Sequence, residues 1–508
     1  MDRREWLKTG AAAGAGILAG ALPEAGAVPG PGAASLARAL QGRVRSVIFF
    51  AYDGLTWEDV ATARYYRMRR GEEPLVLERL LDTGASGSML VHSLTSVVTD
   101  SSAASAAWST GRKIVNEAVS QFPDGTPLAT ILELARDRGL ATGLITTTRM
   151  THATPACWFA RTEHRNQEDE IAAQYLESGC NVFLGGGSVH FDPAIRSDGR
   201  DLFREFADRG YQVIRTAAEV DDAAGSRILG IFTRDHLAYE VDRVRQGAPS
   251  PSLAQITRKG LQILDGADRG FVVQIEAGRV DHANHQNDPG AALHDMLAGD
   301  EALEVVLDYA DRNPGTLVIV TSDHGTGSGA VYGTGAGYRG SSEAFDRIDL
   351  QRASYQYFMR AMGARPPADR VHDGIREILG LEVSRERAEL VARVLAREVR
   401  LGNERAHRDQ PYNGIHQALT DDHPRNPGLN LNYATGQHTA GPVPLAFYGP
   451  GIRDRGLGIV DNTELFDVMA EALEISHRNP LMTEEEALAI QQAMAPIRYP
   501  DEEKPHWA

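Results

Sequence analysis

The stretch VIFFAYD, residues 47–53, is a short and continuous apolar run that ends in a carboxylate. Similar runs recur along the 508-residue chain and are separated by segments long enough for helices. Continuous runs suit strands that are buried on both faces, and their alternation with helices predicts an α/β fold with a central, largely parallel sheet sandwiched by helices. The other runs are ATGLITTT (141–148), NVFLGGG (181–187), YQVIRT (211–216), FVVQIEA (271–277), TLVIVTSD (316–323) and LAFYGPG (445–451).

The composition is that of a globular protein, with 42% apolar and 24% charged residues. The length allows one large core with insertions, or about two to three domains. The formal net charge of −17 argues against nucleic acid or an anionic membrane as the main partner, because such binding needs clustered Lys and Arg. An anionic substrate would therefore require local positive charge, from metal ions or from a well-placed arginine.

The N-terminal residues 1–27 have the features of a twin-arginine export signal. Arg3 and Arg4 precede a mildly apolar Ala/Gly-rich stretch, and Ala25-Gly26-Ala27 is a candidate cleavage site. The apolar run is too short and too rich in glycine to form a stable membrane span. We therefore expect export to the periplasm or the extracellular space, with residues 28–44 as a linker.

The chain contains two cysteines, Cys157 and Cys180. In an oxidising compartment they could form a disulfide, and two buried thiols are the alternative. Neither belongs to a C-x-x-C pair, so a thiolate zinc site is not expected.

Acidic residues stand at or just past the ends of three predicted strands. They are Asp53, Glu276 and Asp323. Open α/β sheets bind their ligands at the carboxyl ends of the strands. A single acidic residue in such a place is usually a helix cap or a turn residue, but here histidines accompany the acids.

The histidines occur in three short segments, EAGRVDHANH (276–285), TSDHGTG (321–327) and GQHTAG (436–441). Mixed carboxylate and imidazole ligands are typical of zinc, whereas oxygen ligands alone suit magnesium. The inventory predicts two nitrogen-containing metal sites and one all-oxygen site. The residues that these segments contribute are Glu276, Asp281, His282, His285, Asp323, His324 and His438.

Taken together and in this order, the motifs resemble those of the alkaline phosphatases, a family of metal-dependent phosphomonoesterases. VTDSSAASAAWSTG (98–111) is similar to the nucleophile motif, FFAYDG (49–54) to the first metal-binding strand, and the segment from THATPA to HR (151–165) to the magnesium and arginine segment. The matches run from about residue 45 to 452. The resemblance implies an alkaline-phosphatase-like catalytic domain over 45–327 and 438–475, a cap or crown inserted over the active site at 328–437, and a C-terminal extension at 476–508.

The resemblance also implies two zinc ions and one magnesium ion per chain. The first zinc would be held by Asp281, His285 and His438, and the second by Asp53, Asp323, His324 and the nucleophilic serine. Asp53 would bridge to magnesium, completed by Thr154 and Glu276. Asp100, His152 and His282 would lie beside these ligands; because the best-known enterobacterial members have Asp and Lys in place of the two histidines, the identity of the third metal stays open.

The implied reaction is hydrolysis of small phosphate monoesters through a covalent phosphoserine. Two metal ions about 4 Å apart can stabilise the entering and the departing oxygen together. Arg165 would grip two phosphate oxygens with its planar guanidinium, which lysine cannot do.

Two neighbouring serines compete for the role of nucleophile, and alignment on Asp100 and on Trp108 to Gly111 favours Ser101 over Ser102. Ser101 would lie in the first turn of a helix, where free backbone N–H groups and the helix dipole favour a phosphate. Gly111 would end that helix in a left-handed cap, and the alanines between would let it pack closely beneath the metals.

Other functions remain open at this point. A sulfatase would need a modified-cysteine motif, which is absent around Cys157 and Cys180. A phosphodiesterase of the same superfamily would share the metal frame, and an exported protein that binds metal or phosphate without turnover is the non-enzymatic alternative. Family members often form dimers, so a homodimer is also open.

Overall fold

The computed structural model describes residues 31–333, 335–401, 412–420, 431–452 and 455–494. The expected export signal, residues 1–27, lies outside the described residues. Fourteen strands occur in the described ranges: β1 Ser46–Tyr52, β2 Ala85–Leu90, β3 Ala141–Arg149, β4 Val182–Gly186, β5 Gln212–Ile214, β6 Ile228–Ile231, β7 Phe271–Ala277, β8 Thr316–Ser322, β9 Gly325–Thr326, β10 Gly329–Val331, β11 Leu431–Tyr433, β12 His438–Thr439, β13 Val443–Tyr448 and β14 Arg455–Asp461.

The helices connect these strands and flank the sheet. They are α1 Pro31–Leu40, α2 Trp57–Arg70, α3 Val76–Thr83, α4 Ser101–Thr110, α5 Ile131–Asp137, α6 Ala153–Ala156, α7 Glu168–Ser178, α8 Leu202–Asp208, α9 Glu240–Arg245, α10 Leu253–Asp265, α11 Arg279–His285, α12 Pro289–Arg312, α13 Glu343–Leu350, α14 Tyr355–Met362, α15 Ala368–Gly374, α16 Arg385–Leu395, α17 Tyr412–Leu419, α18 Glu464–Ala472 and α19 Glu484–Ala493. A π-helical turn, Ile375–Leu379, follows α15 directly.

Ten strands form one sheet, in the order β14-β2-β13-β8-β1-β7-β3-β4-β6-β5. Strand β13 runs antiparallel to both of its neighbours, β2 and β8. Every other neighbouring pair in this sheet is parallel. The prediction of a largely parallel sheet is therefore confirmed.

The sheet is covered on both faces. Alternate residues of β1 enter two separate hydrophobic clusters: Phe49 packs on one side, with α4 and α18, and Phe50 on the other, with α10 and α12. All seven residues of β1 are buried, as are all seven of β7 and of β8. Burial on both faces is the reason why these strands read as continuous apolar runs.

Three strands of the sheet, β2, β6 and β14, were not predicted. Strand β2, ASGSML, has a half-buried middle and small residues, and β6 is short and contains a glycine. Strand β14 lies at the sheet edge and exposes most of its residues. The segment expected to be a linker contains α1, whose Leu36, Ala37 and Leu40 are buried in the core beside α18.

The region expected to be an insertion, 328–437, is mostly helical where it is described. Helices α14 to α17 surround a hydrophobic cluster of their own, drawn from residues 353–419, which we call the insertion core. Two short antiparallel pairs, β10 with β11 and β9 with β12, return the chain to the sheet. The second pair places His438 opposite Thr326, two residues after His324.

Both cysteines are buried free thiols, so the two-thiol alternative is correct and no disulfide joins them. Within the described ranges, no helix combines the length and the apolar character needed to cross a membrane.

Candidate active site

Three carboxylates meet at the carboxyl edge of the central strands. Strand β1 pairs with β7 on one side and β8 on the other, with Ala51 opposite Glu276 and Tyr52 opposite Ser322. Asp53 and Asp323 follow directly after β1 and β8. All three side chains are fully buried, as expected from their positions at strand ends.

Asp281, His285 and His438 form the first candidate metal group. His285 Nε2 lies 3.4 Å from Asp281 Oδ2 and 3.0 Å from His438 Nε2. The Nδ1 atoms face the carbonyl oxygens of Gly436 at 2.7 Å and Thr99 at 2.9 Å. A carbonyl can only accept, so each Nδ1 carries the proton and each Nε2 presents its lone pair.

Asp53, Asp323 and His324 form the second group. His324 Nε2 is 3.0 Å from Asp323 Oδ2 and 3.9 Å from Asp53 Oδ1. The backbone N–H groups of Gly54 and His324 donate to Asp323 Oδ1 at 3.0 and 2.9 Å, which orients the other carboxylate oxygen toward the group.

Asp53 is shared with a third group, which contains His152 and Glu276. Thr154, the expected third ligand, donates from Oγ1 to Asp53 Oδ2 at 3.4 Å. Glu276 is held by the Thr146 hydroxyl and by Thr148 Oγ1 at 3.3 Å. The structure thus brings a histidine into the group that the sequence suggested would contain oxygen ligands alone.

The electrostatics of these groups fit bound cations. Burial and then the neighbouring carboxylate of Asp323 raise the pKa of Asp53 well above its usual range. Burial raises the pKa of Glu276 to about 7. Among the described residues, Asp53 Oδ1 and Glu276 Oε1 are buried without a hydrogen-bond donor. Buried, closely spaced carboxylates are unfavourable unless positive charge compensates them, and metal ions would supply it.

Helix α4 presents Ser101 to these groups. It begins after Asp100, whose Oδ1 accepts from Ala103 N at 2.9 Å, and ends at Gly111 in the left-handed conformation with φ 72°. Ser101 Oγ lies 3.2 Å from His324 Nε2. Ser102 Oγ instead donates to Asp100 Oδ2 at 2.6 Å. The predicted helix and its glycine cap are confirmed, and only Ser101 of the two serines contacts a candidate ligand.

The other small residues of α4 hold the Thr154 segment in place. Ser105 Oγ donates to Thr154 O and Ser109 Oγ to Cys157 O, both at 2.8 Å. Every residue of the helix is buried, including its four alanines. Small side chains therefore let α4 approach α6 closely enough for hydroxyl groups to bond across the interface.

Arg165 is buried beside helix α4, with a side chain that is 6% exposed. Its Nη1 donates to Asp100 Oδ2 at 3.0 Å, and its Nη2 lies 3.2 Å from His152 Nε2. Burial opposes its charged form, but the Asp100 carboxylate outweighs that effect and raises the pKa of Arg165. The guanidinium thus stays charged at the edge of the metal groups.

His282 was expected beside the third metal, and its ring faces that of His152, a member of the third group, with 5.3 Å between the centroids. It also stacks edge-on against His236. The ring centroids are 4.3 Å apart, and His236 also faces His152 at 5.7 Å. Arg279 Nη1 lies 2.6 Å from His282 Nδ1. His236 was missed because a lone histidine in FTRDHLAY gives no metal-ligand spacing.

Comparison with known families identifies the chain. The sequence model of the family described as alkaline phosphatase matches residues 44–475. The chain belongs to the alkaline phosphatase family. The expected fold and the assignment as a phosphoric monoester hydrolase are therefore confirmed at the level of this family.

Individual relatives agree with the family assignment. Thermus thermophilus alkaline phosphatase shares 45% sequence identity with a TM-score of 0.87, over 89% of this chain and 96% of the solved chain. Alkaline phosphatase 3 of Bacillus subtilis is 29% identical, over 85% of this chain and 90% of its own length. The repressible alkaline phosphatase of Saccharomyces cerevisiae is 33% identical over 320 residues, and the match spans 56% of the yeast protein.

Proposed function

We propose that this protein hydrolyses phosphate monoesters to an alcohol and inorganic phosphate through a phosphoserine on Ser101. The proposal depends chiefly on one observation, the 3.2 Å approach of Ser101 Oγ to His324 Nε2 within a buried group of carboxylates. The approach supports Ser101 as the nucleophile, because its hydroxyl lies at the start of a helix, beside candidate metal ligands and a buried arginine.

Two zinc ions and one magnesium ion are proposed as the resident metals. Asp281, His285 and His438 would hold one zinc, and Asp53, Asp323 and His324 the other. Glu276, Thr154 and the shared Asp53 would hold magnesium, with His152 beside it. When bound, these ions would neutralise the phosphate and favour the ionised serine.

In the proposed reaction, the bond from Ser101 Oγ to phosphorus forms as the bond from phosphorus to the leaving oxygen breaks. The alcohol departs with a proton, and water then cleaves the phosphoserine, which restores the Ser101 hydroxyl and releases inorganic phosphate. Arg165 would bind two phosphate oxygens through its planar fork. Asp100 orients that fork, because its Oδ2 accepts from Arg165 Nη1 at 3.0 Å.

Removal and return of the metals test this proposal. Exhaustive chelation should abolish hydrolysis of a generic aryl phosphate, and zinc with magnesium should restore it, with highest activity on the alkaline side. Metal analysis of the restored protein should give two zinc ions per chain and should identify the third ion. Full activity after chelation would contradict the metal-dependent mechanism.

The two alternatives predict different rates. A phosphodiesterase would hydrolyse an aryl phosphodiester faster than the matching monoester, whereas we expect the reverse. A non-catalytic binding protein would bind zinc and inorganic phosphate but show no turnover of either ester.

Export by the twin-arginine route to the periplasm or beyond is proposed from residues 1–27 alone, and homodimer formation from the family resemblance. Replacing Arg3 and Arg4 together by lysine should retain the protein in the cytoplasm. Sedimentation of the purified protein measures its oligomeric state.

A further inference from the structure

Glu117 has a backbone conformation that is unusual for its residue type. It lies in the loop after α4 with φ 72°, in the left-handed region that favours glycine. A non-glycine residue in this region costs about 1–2 kcal/mol, so it persists only where the surroundings hold it. The contacts of Glu117 show what holds it.

The backbone of Glu117 joins the two residues that shape the phosphate-binding side of the site. Its N–H donates to Asp100 Oδ2 at 3.0 Å, the same oxygen that accepts from Arg165 Nη1. Its carbonyl oxygen accepts from the Arg165 N–H at 2.7 Å. One residue thereby contacts the carboxylate at the head of α4 and the main chain of the arginine.

The preceding residue strengthens this connection. Asn116 Oδ1 accepts from the Asp100 N–H at 3.2 Å, and Asn116 Nδ2 donates to Val98 O at 3.0 Å. Residues 116 and 117 are therefore hydrogen-bonded to the segment that precedes α4 as well as to Arg165. Rotation of φ at Glu117 to negative values would redirect its carbonyl oxygen relative to its N–H, so that the two groups could no longer bond to Arg165 and Asp100 together.

The Glu117 side chain contributes little to this arrangement. It is 63% exposed, and its carboxylate lies 3.2 Å from His164 Nε2. Because the carboxylate is mostly exposed to solvent, this contact contributes little free energy.

We propose that Glu117 is a positioning residue, whose left-handed backbone sets the placement of Arg165 relative to Asp100 and so the affinity for phosphate. This inference rests on the proposed role of Arg165 as the phosphate-binding group. It assigns the effect to the backbone conformation and not to the carboxylate.

A series of substitutions at Glu117 distinguishes the effect of its backbone conformation from the effect of its carboxylate. Glu117→Val disfavours the left-handed conformation most strongly and should raise the inhibition constant of inorganic phosphate by about tenfold, with a matching rise in KM and a smaller change in kcat. Glu117→Gly keeps the conformation, and Glu117→Ala removes only the carboxylate. Both should hold the inhibition constant within about twofold of the parent.

Glu474 supplies the matched control, because it is also a left-handed glutamate, with φ 57°, in the turn after α18 and exposed to solvent. Glu474→Val should lower the melting temperature comparably to Glu117→Val without changing phosphate inhibition. If Glu117→Val is insoluble, Glu117→Thr provides the milder β-branched substitution.

The double variant Glu117→Val/Arg165→Ala distinguishes failure of this inference from failure of the proposed function. Arg165→Ala alone should weaken phosphate inhibition, and adding Glu117→Val should then have no further effect. Unchanged inhibition in Arg165→Ala would contradict the role of Arg165 itself. If Arg165→Ala weakens inhibition but Glu117→Val does not, or if Glu117→Ala weakens it equally, the positioning role of the backbone is wrong.

Discussion

The catalytic sheet and the insertion core differ in how far apart along the chain their contacting residues lie. At the candidate active site, Ser101 and His324 are 223 residues apart, and His285 and His438 are 153 apart. The insertion core, by contrast, is formed among the described residues by positions 353–419. The active site therefore depends on the whole strand order, whereas the insertion core depends on a short stretch of chain.

Hydrogen bonds connect the insertion core to the helical segment that follows β7. Asp288 Oδ1 and Oδ2 accept from Gln351 Nε2 at 2.5 Å and from Tyr355 N at 2.6 Å. Arg279 Nη2 donates to Gln356 Oε1 at 3.1 Å, close to His282. These hydrogen bonds orient the helices of the insertion core against the catalytic region, while the hydrophobic cluster of the insertion core stays separate. We therefore expect the turnover rate to depend on residues of the catalytic sheet. Residues of the insertion core should affect mainly the free energy of unfolding.

The largest expected effect comes from replacing Ser101, the proposed nucleophile. Ser101→Ala should lower turnover by about a thousandfold or more and remove the phosphoserine, because covalent catalysis depends on the hydroxyl oxygen. Ser102→Ala is the neighbouring comparison and should cost much less, since its hydroxyl bonds to Asp100. Phosphoenzyme trapped at low pH and mapped by peptide mass identifies the residue, and a label on Ser102 would overturn the assignment.

Among the candidate ligands compared below, replacement of Asp53, which two metal groups share, should reduce metal binding most. Because Asp53 belongs to two of the three groups, Asp53→Asn should lose more metal per chain than Glu276→Gln, which alters one group. Asp300→Asn is the control: this buried carboxylate accepts from the N–H groups of Val76 and Leu77 and belongs to no metal group within the described residues. Equal metal loss in Asp53→Asn and Asp300→Asn would contradict the grouping.

Substitution of one phenylalanine in each region tests whether stability and turnover depend on different parts of the molecule. Phe358→Ala in the insertion core should lower the free energy of unfolding by about 3–5 kcal/mol but change turnover of a small aryl phosphate less than about threefold. The ring centroid of Phe49 lies 4.8 Å from that of Trp108 in α4, so Phe49→Ala should reduce both the free energy of unfolding and the turnover. Calorimetry and steady-state rates measure the two effects, and a large loss of turnover in Phe358→Ala would show that the regions are coupled.

The smallest effect concerns stability at alkaline pH within the catalytic region. His190 lies between Asp169 at 2.8 Å and Glu168 at 3.2 Å, with Arg149 and Arg196 nearby. Burial opposes protonation, but Glu168 and Asp169 outweigh it and raise the pKa of His190 to about 9. The stabilisation is complete below the unfolded pKa of about 6.5 and is lost as pH rises through about 9.

His190→Gln should therefore cost on the order of 2 kcal/mol of unfolding free energy at pH 6 and much less at pH 10. Chemical denaturation across this pH range measures the difference. A cost that does not depend on pH would contradict the raised pKa. The half-buried His372 provides a control variant, because the Asp373 carboxylate beside it lies at 3.7 Å and is exposed to solvent.

Several local features could be predicted from the sequence because neighbouring residues decide them. Strand β7 coincides with the run 271–277, and β1 and β8 nearly fill theirs, since strands buried on both faces need continuous apolar residues. Helix α4 begins after Asp100 and ends at Gly111 as expected, because capping and a left-handed glycine are local requirements. The candidate ligands could also be identified from the sequence, because each lies within a short motif that resembles one of the family.

The tertiary structure alone decided which of these residues meet. The resemblance placed His152 beside the third metal, but sequence spacing did not indicate that His236 would face His282 or that the Glu117 backbone would bridge Asp100 and Arg165. These contacts depend on strand order and loop conformation, which arise from packing of distant segments. Strands β2 and β14 were missed for the same reason, since their half-exposed sequences become strands only when a neighbouring strand supplies hydrogen bonds.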